Sequence, residues 1–146
     1  MKKINIDELI RKEMKEGDKV KLETLRLIKA EFQKVQTSSG RGGRELEDEE
    51  QLKVLQKMIK QRIDASQQYA AAGRLELAEQ ERTEIGIIEE FIPAPPTVET
   101  LREYIGSIVT PAMTMKDMGN LVRMVKQEFP TADGKLISDE IRKRLS

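Results

Sequence analysis

The sequence contains no cysteine and no histidine, and these two absences exclude most of the usual catalytic chemistry. Without cysteine there is no disulfide, no thiol nucleophile and no thiolate ligand for a metal. Without histidine the chain lacks the commonest general base and the commonest metal ligand. A metal site built from carboxylates alone needs a turn-forming glycine, and the acidic run at 45–50 lacks that spacing. We therefore predict no catalytic residue, no metal site and no cofactor.

Long apolar runs are also missing, since none approaches the roughly 20 residues that a transmembrane helix needs. At the N-terminus, Asp7, Glu8 and Arg11 interrupt what would have to be the apolar part of a signal peptide. Together with the lack of cysteine, this pattern predicts a cytoplasmic protein with no membrane partner.

The chain has no excess of either charge, because 26 basic side chains balance 26 acidic ones. A dedicated nucleic-acid-binding protein usually carries a basic excess. Any contact with RNA must therefore come from a local basic patch rather than from the field of the whole chain.

What the sequence does contain is apolar residues at alternating steps of three and four, the period of amphipathic helices. No strand pattern appears, so we predict an all-α fold with about four helices in an N-terminal bundle and three in a C-terminal subdomain. Gly17 and Gly73 are predicted to end helices, and Asp18, Thr97 and Asp133 to cap them. The apolar positions predicted to face inward include Ile63 in the third helix and Val98 in the fifth.

Three prolines within Pro93–Pro96 mark the clearest boundary in the sequence. Proline cannot continue a helix, and such a cluster forms a stiff, extended connector. We predict an N-terminal helical domain at 1–92, a proline-rich linker at 93–96 and a three-helix domain at 97–146.

The segment 38–44 has three glycines and no periodicity, so we predict a mobile loop there. It contains a single arginine–glycine–glycine unit, and one copy is little indication of RNA binding. The Gly134–Lys135 pair resembles part of a phosphate-binding loop, but the first glycine and the preceding strand are absent. Neither segment predicts nucleotide hydrolysis.

Basic residues of the C-terminal segment are the best local patch for an anion. Lys116 and Lys135 are predicted in the first turns of helices, where the helix dipole disfavours a cation and free backbone N–H groups favour an anion. Gly134 would let a phosphate approach the backbone closely. We predict that the two lysines form one small phosphate pocket within a nucleic-acid-binding set comprising Lys116, Arg123, Lys126, Gly134, Lys135, Arg142 and Lys143.

Structural explanations remain open for several of these residues. Basic side chains in a last helical turn complement the dipole, which accounts for Arg142 and Lys143 without any ligand. Gly119 would allow two helices to pack closely. In the N-terminal segment, Arg26 and Arg62 are predicted to form interhelical ion pairs with acids such as Glu81 or Glu84.

Seven short motifs occur in a fixed order along the chain: DKVKLETLR at 18–26, KQR at 60–62, AGR at 72–74, LAE at 77–79, EIGIIEEFIP at 84–93, KDMG at 116–119 and ADGK at 132–135. In this order and spacing they resemble the YqeY family, over about residues 3–145. That family is similar in turn to the C-terminal helical and tail region of GatB, a subunit of the tRNA-dependent amidotransferase.

The resemblance implies a role beside tRNA, because the GatB tail is understood to contact tRNA while the chemistry lies in a preceding domain. The family label, a carbon–nitrogen ligase with glutamine as amido donor, therefore implies kinship rather than activity in this chain. It also implies tRNA or a tRNA-processing protein as partner.

Three functional hypotheses follow. The first is a non-catalytic tRNA-binding accessory protein. The second is a helical protein–protein interaction module with no RNA role, using an exposed apolar groove and the adaptable methionines at 113, 115, 118 and 124. The third, a stand-alone amidotransferase, is disfavoured because the catalytic domains are absent.

Overall fold

A computed structural model describes residues 3–145, and this part of the chain is helical without any strand, which confirms the all-α prediction. Its elements are α1 (Ile6–Glu16), α2 (Lys19–Gln36), α3 (Asp48–Ala71), α4 (Leu75–Glu89), α5 (Val98–Ile108), a 3₁₀ turn (Met115–Asp117), α6 (Met118–Glu128) and α7 (Gly134–Arg144). By its internal contacts the chain divides into two compact units, Met1–Ile92 and Pro93–Ser146. None of the helices within 3–145 is both long and apolar enough to cross a bilayer.

Local signals define the helix ends as predicted. Gly17 follows α1 with a φ of 82°, a left-handed conformation that glycine adopts without steric cost. The side chains of Asp18, Thr97 and Asp133 each accept a hydrogen bond from a backbone N–H in the first turn of the helix that follows. These caps satisfy N–H groups that the helix itself leaves without partners.

The core of the first unit lies between α2, α3 and α4. Its fully or nearly buried apolar side chains are Leu25, Ile28, Phe32, Leu46, Leu55, Met58 and Ile88. The helices α3 and α4 form an antiparallel hairpin, and the distal part of this hairpin, residues 63–83, buries only Ser66 and Ala78. Ile63, predicted to face inward, is 41% exposed there.

The loop predicted to be mobile is held together by hydrogen bonds from one arginine. The Arg41 guanidinium binds both carboxylate oxygens of Glu50, and it also donates to the carbonyl oxygens of Arg44 at 2.9 Å and Glu45 at 2.8 Å. Gln36 donates to the carbonyl of Gly43 at 3.0 Å. These bonds join the loop to α2 and α3, which a local glycine count does not reveal.

The second unit has its own core, formed by two residues from each of its three α-helices and one residue between α6 and α7. The buried residues are Leu101, Ile105, Leu121, Val125, Ala132, Ile137 and Ile141. Val98, predicted to face inward, is 40% exposed at the start of α5. In the proline-rich segment, the Thr131 hydroxyl donates to the carbonyl of Ala94 at 3.3 Å.

The start of α6 differs in detail from the sequence prediction. Thr114 and Asp117 form the predicted capping box, but the turn they close is the short 3₁₀ helix Met115–Asp117. The α-helix begins at Met118. Lys116 therefore belongs to the 3₁₀ turn and not to the first turn of an α-helix.

Candidate nucleic-acid interface

The outward face of α6 carries cations and amides. Asn120, Arg123 and Gln127 are all exposed. At about 100° per residue they fall within about 60° of arc, so they share one face of the helix. Lys116 is exposed and lies four residues before Asn120. We call these four residues the α6 face.

Carboxylates are sparse around the α6 face. The single acidic residue in α6 is Glu128, which lies about 100° around the helix from Gln127. The nearby Asp117 is half-buried, and its carboxylate accepts the backbone N–H of Thr114 at 2.9 Å. The side chains of Lys116 and Arg123 have no carboxylate partner among the residues that the structure describes.

Cap side chains occupy the backbone N–H groups of Lys116 and Lys135. The N–H of Lys116 donates to the Thr114 hydroxyl at 3.3 Å, and the N–H of Lys135 donates to the Asp133 carboxylate at 3.0 Å. The backbone N–H groups of these two lysines are therefore not free to bind an anion. What remains at both positions is an exposed ammonium group.

Lys116 and Lys135 do not share one small pocket. Lys116 precedes α6, whereas Lys135 lies in the first turn of α7, beside the end of α6. The 11 residues of α6 extend about 16 Å at 1.5 Å per residue. The structure thus replaces the predicted pocket with an elongated basic surface that runs along α6 to the start of α7.

Lys126 and Gly134 lie where α6 meets α7. The Lys126 ammonium donates to the carbonyl oxygen of Ala132 at 2.6 Å, so this lysine holds the turn between the two helices. A Cβ added at Gly134 would meet only Cε of Lys126, at 3.9 Å, which is an ordinary contact. Packing therefore does not require glycine at position 134.

Arg142 and Lys143 each form an ion pair with an acidic residue of their own helix. Arg142 is 3.4 Å from the Asp139 carboxylate, and Lys143 is 3.4 Å from the Glu140 carboxylate. Glu140 is buried and also accepts from Arg102 at 3.1 Å. Burial raises the pKa of Glu140, but the hydrogen bonds from Arg102 and Lys143 outweigh it, so its pKa lies below the ordinary value. These ion pairs fit the structural explanation for both cations.

Gly119 does not mediate helix packing, because a Cβ added there would meet nothing within 4 Å. In the first unit, Arg62 donates to the Glu84 carboxylate at 2.9 Å, which confirms the predicted interhelical pair. Arg26 has no such partner among the described residues. The amides of Asn120 and Gln127 are not among the residues predicted from charge, but their steps of three and four from Arg123 place them on the same helical face.

Residues 3–145 contain no group of three acidic side chains arranged to hold a metal ion. The family model described as Yqey-like protein matches residues 3–145. The chain belongs to the YqeY family. No curated protein matches this YqeY family member in a sequence search.

Proposed function

We propose that this YqeY protein is a non-catalytic accessory protein that binds the sugar–phosphate backbone of tRNA. The observation that carries the proposal is the set of exposed cations Lys116, Arg123 and Lys135, none of which has a carboxylate partner among the described residues. The family resemblance to the amidotransferase tail supplies tRNA as the class of RNA. Localisation in the cytoplasm, where tRNA is used, belongs to the same proposal.

Charge distribution within the C-terminal segment supports this surface. Residues 97–146 contain eight basic and seven acidic side chains, which is close to neutral. Asp117 and Asp133 cap helices, and Asp139 and Glu140 pair with cations of α5 and α7. None of these acids forms an ion pair with Lys116, Arg123 or Lys135, so the three cations can release counterions from RNA phosphates.

The test is binding to total tRNA as a function of salt concentration. We expect wild-type protein to bind at about 50 mM salt and to weaken steeply as salt rises. The variant Lys116→Glu/Lys135→Glu should bind at least tenfold more weakly, and its slope of log K against log salt should be shallower by about 1.5, because two phosphate contacts are lost.

A matched control reverses the charge of two lysines in the first unit. Lys53 and Lys57 are exposed on α3 and have no ion-pair partner among the described residues. The variant Lys53→Glu/Lys57→Glu changes the net charge equally, and we expect it to retain the wild-type salt slope. Absence of wild-type binding at 50 mM salt, or equal losses in the two variants, would contradict the proposed surface.

The second candidate function is a protein-interaction module, and two exposed methionines favour it. Met115 is 50% exposed and Met124 42% exposed, whereas Met113 and Met118 pack against the core of the second unit. Flexible methionines adapt to varied partners. Affinity capture that recovers a stoichiometric protein without RNA, and that is lost in Met115→Gln/Met124→Gln, would support this function over RNA binding.

A further inference from the structure

The α6 face alternates cations with amides along the helix axis. The order is Lys116, Asn120, Arg123 and Gln127, with steps of three or four residues, or about 5–6 Å each. The amide N–H groups could donate to phosphate, but a phosphate oxygen cannot donate to the amide carbonyl oxygens. Full use of both amides therefore calls for a partner that donates as well as accepts.

Both amides are available for an external partner. Asn120 and Gln127 are exposed, and neither side chain forms a hydrogen bond with any other residue in the range 3–145. Other polar side chains near the second unit's helix starts behave differently: Thr114 and Asp133, for example, cap backbone N–H groups. Each free amide offers two N–H donors and a carbonyl acceptor, which matches a group that both donates and accepts.

The ribose 2′-hydroxyl is such a group, and it is what distinguishes RNA from DNA at a binding surface. In A-form RNA the 2′-hydroxyls line a wide, shallow minor groove, whereas the major groove is too deep and narrow for side chains to read. The minor groove of B-form DNA is about 6 Å wide, which is too narrow for an α-helix about 10–12 Å across. Of the two minor grooves, that of RNA is therefore the one accessible to an amide-bearing helical face.

We propose that the α6 face binds across the minor groove of double-helical RNA. Asn120 and Gln127 exchange hydrogen bonds with 2′-hydroxyls, and Lys116 and Arg123 contact the phosphates at the groove edges. This inference rests on the proposed RNA-binding function, and it adds a structural class of RNA, the A-form duplex, and a basis for excluding DNA.

The experiment compares binding to a 20-base-pair RNA duplex with binding to a DNA duplex of the same sequence, at one salt concentration. We expect wild-type protein to prefer RNA by about tenfold, since two additional hydrogen bonds of ordinary strength account for a factor of this size. The variant Asn120→Ala/Gln127→Ala should bind RNA and DNA equally, at the wild-type affinity for DNA. Thermal melting checks that the variant is folded.

A matched control removes two exposed amides from the first unit. Gln67 and Gln68 lie on the exposed side of α3, and Gln67→Ala/Gln68→Ala should keep the wild-type preference for RNA. Equal wild-type binding to the two duplexes would overturn the groove inference and leave phosphate binding intact. A preference for RNA that survives Asn120→Ala/Gln127→Ala would also overturn it. Failure to bind either duplex or tRNA would remove the proposed function as well.

Discussion

The Lys126 ammonium donates a hydrogen bond to the carbonyl oxygen of Ala132 at 2.6 Å, across the turn that joins α6 to α7. A hydrogen bond from a charged donor to a partly buried carbonyl is stronger than a neutral one. Lys126 thus stabilises the turn that positions Lys135 beside the end of α6. It is the one member of the predicted nucleic-acid-binding set whose charged atom bonds to the backbone within the described residues.

Lys126→Met should therefore lower the free energy of unfolding of the protein by about 1 kcal/mol, because it removes this bond while keeping the apolar stem. Urea denaturation measures the change. Lys116→Met, which removes an exposed ammonium without any such bond, should leave the unfolding midpoint within error of wild type. Equal stability of the two variants would show that the Lys126–Ala132 bond contributes nothing measurable.

The Arg62–Glu84 pair should contribute to the stability of the α3–α4 hairpin. The two side chains are only 15% and 23% exposed, and Arg62 also donates to the carbonyl of Met58 at 3.2 Å. Single and double alanine variants in a double-mutant cycle should give a coupling energy of about 1–2 kcal/mol, since partial burial strengthens the pair relative to a surface ion pair.

An internal control for that cycle lies on the same hairpin. Arg82 and Glu79 are 3.2 Å apart but are 54% and 71% exposed. Exposed pairs three residues apart on a helix are weak, so their coupling energy should not exceed about 0.5 kcal/mol. Similar values for the two cycles would argue against a special role for Arg62.

Acid should weaken the loop at 38–44 through Glu50. The hydrogen bonds from Arg41 and from the backbone N–H of Glu47 lower the pKa of Glu50 from 4.5 to about 2. A depressed pKa means that the carboxylate stabilises the folded state above pH 4.5, and that this contribution is lost as the pH falls toward 2. Glu50→Gln should be less stable at pH 7 and should lose less further stability between pH 4.5 and 2.

Glu45→Gln is the matched control for this measurement. Glu45 lies 3.5 Å from Lys3, but its side chain is 81% exposed. We expect its unfolding midpoint to follow the wild-type pH dependence when urea denaturation is repeated at several pH values. A Glu50→Gln profile parallel to that of wild type would show that the Arg41–Glu50 contact does not form in solution.

Helix positions and ends were predictable because they depend on neighbours within four residues. Gly17, Asp18, Thr97 and Asp133 act at the ends where they were expected, and the pair Arg62–Glu84 follows from the antiparallel hairpin. Each of these features depends on helical period or backbone geometry, which a sequence shows directly.

The candidate interface was only partly predictable, because it depends on which side chains are already engaged. From the sequence, Lys126 is equivalent to Arg123, and Arg142 is explained by the helix dipole alone. Only the folded chain shows that Lys126 bonds to Ala132 and that Arg142 pairs with Asp139. The expected phosphate pocket failed because two helix starts that look equivalent in sequence lie at opposite ends of α6. Connectivity between helices decides such distances.

Gly119→Ala should stabilise the second unit by about 0.5 kcal/mol. Glycine is a poor helix former, and the added methyl group would meet nothing within 4 Å. Gly17→Ala should instead destabilise the protein by about 1 kcal/mol, since its φ of 82° is unfavourable for alanine. Thermal unfolding of the two variants measures both effects. A destabilising Gly119→Ala would contradict the open space that surrounds this position.

In the distal part of the α3–α4 hairpin, Ser66 and Ala78 are the only buried side chains. Ala72, in the turn between the two helices, is exposed. Because the sequence has no cysteine, Ala72→Cys would introduce the protein's single thiol at a place where no core contact is disturbed. A fluorophore or spin label attached there would occupy a unique, known position. A label at the exposed end of the hairpin would thus report the binding of this protein to RNA in solution.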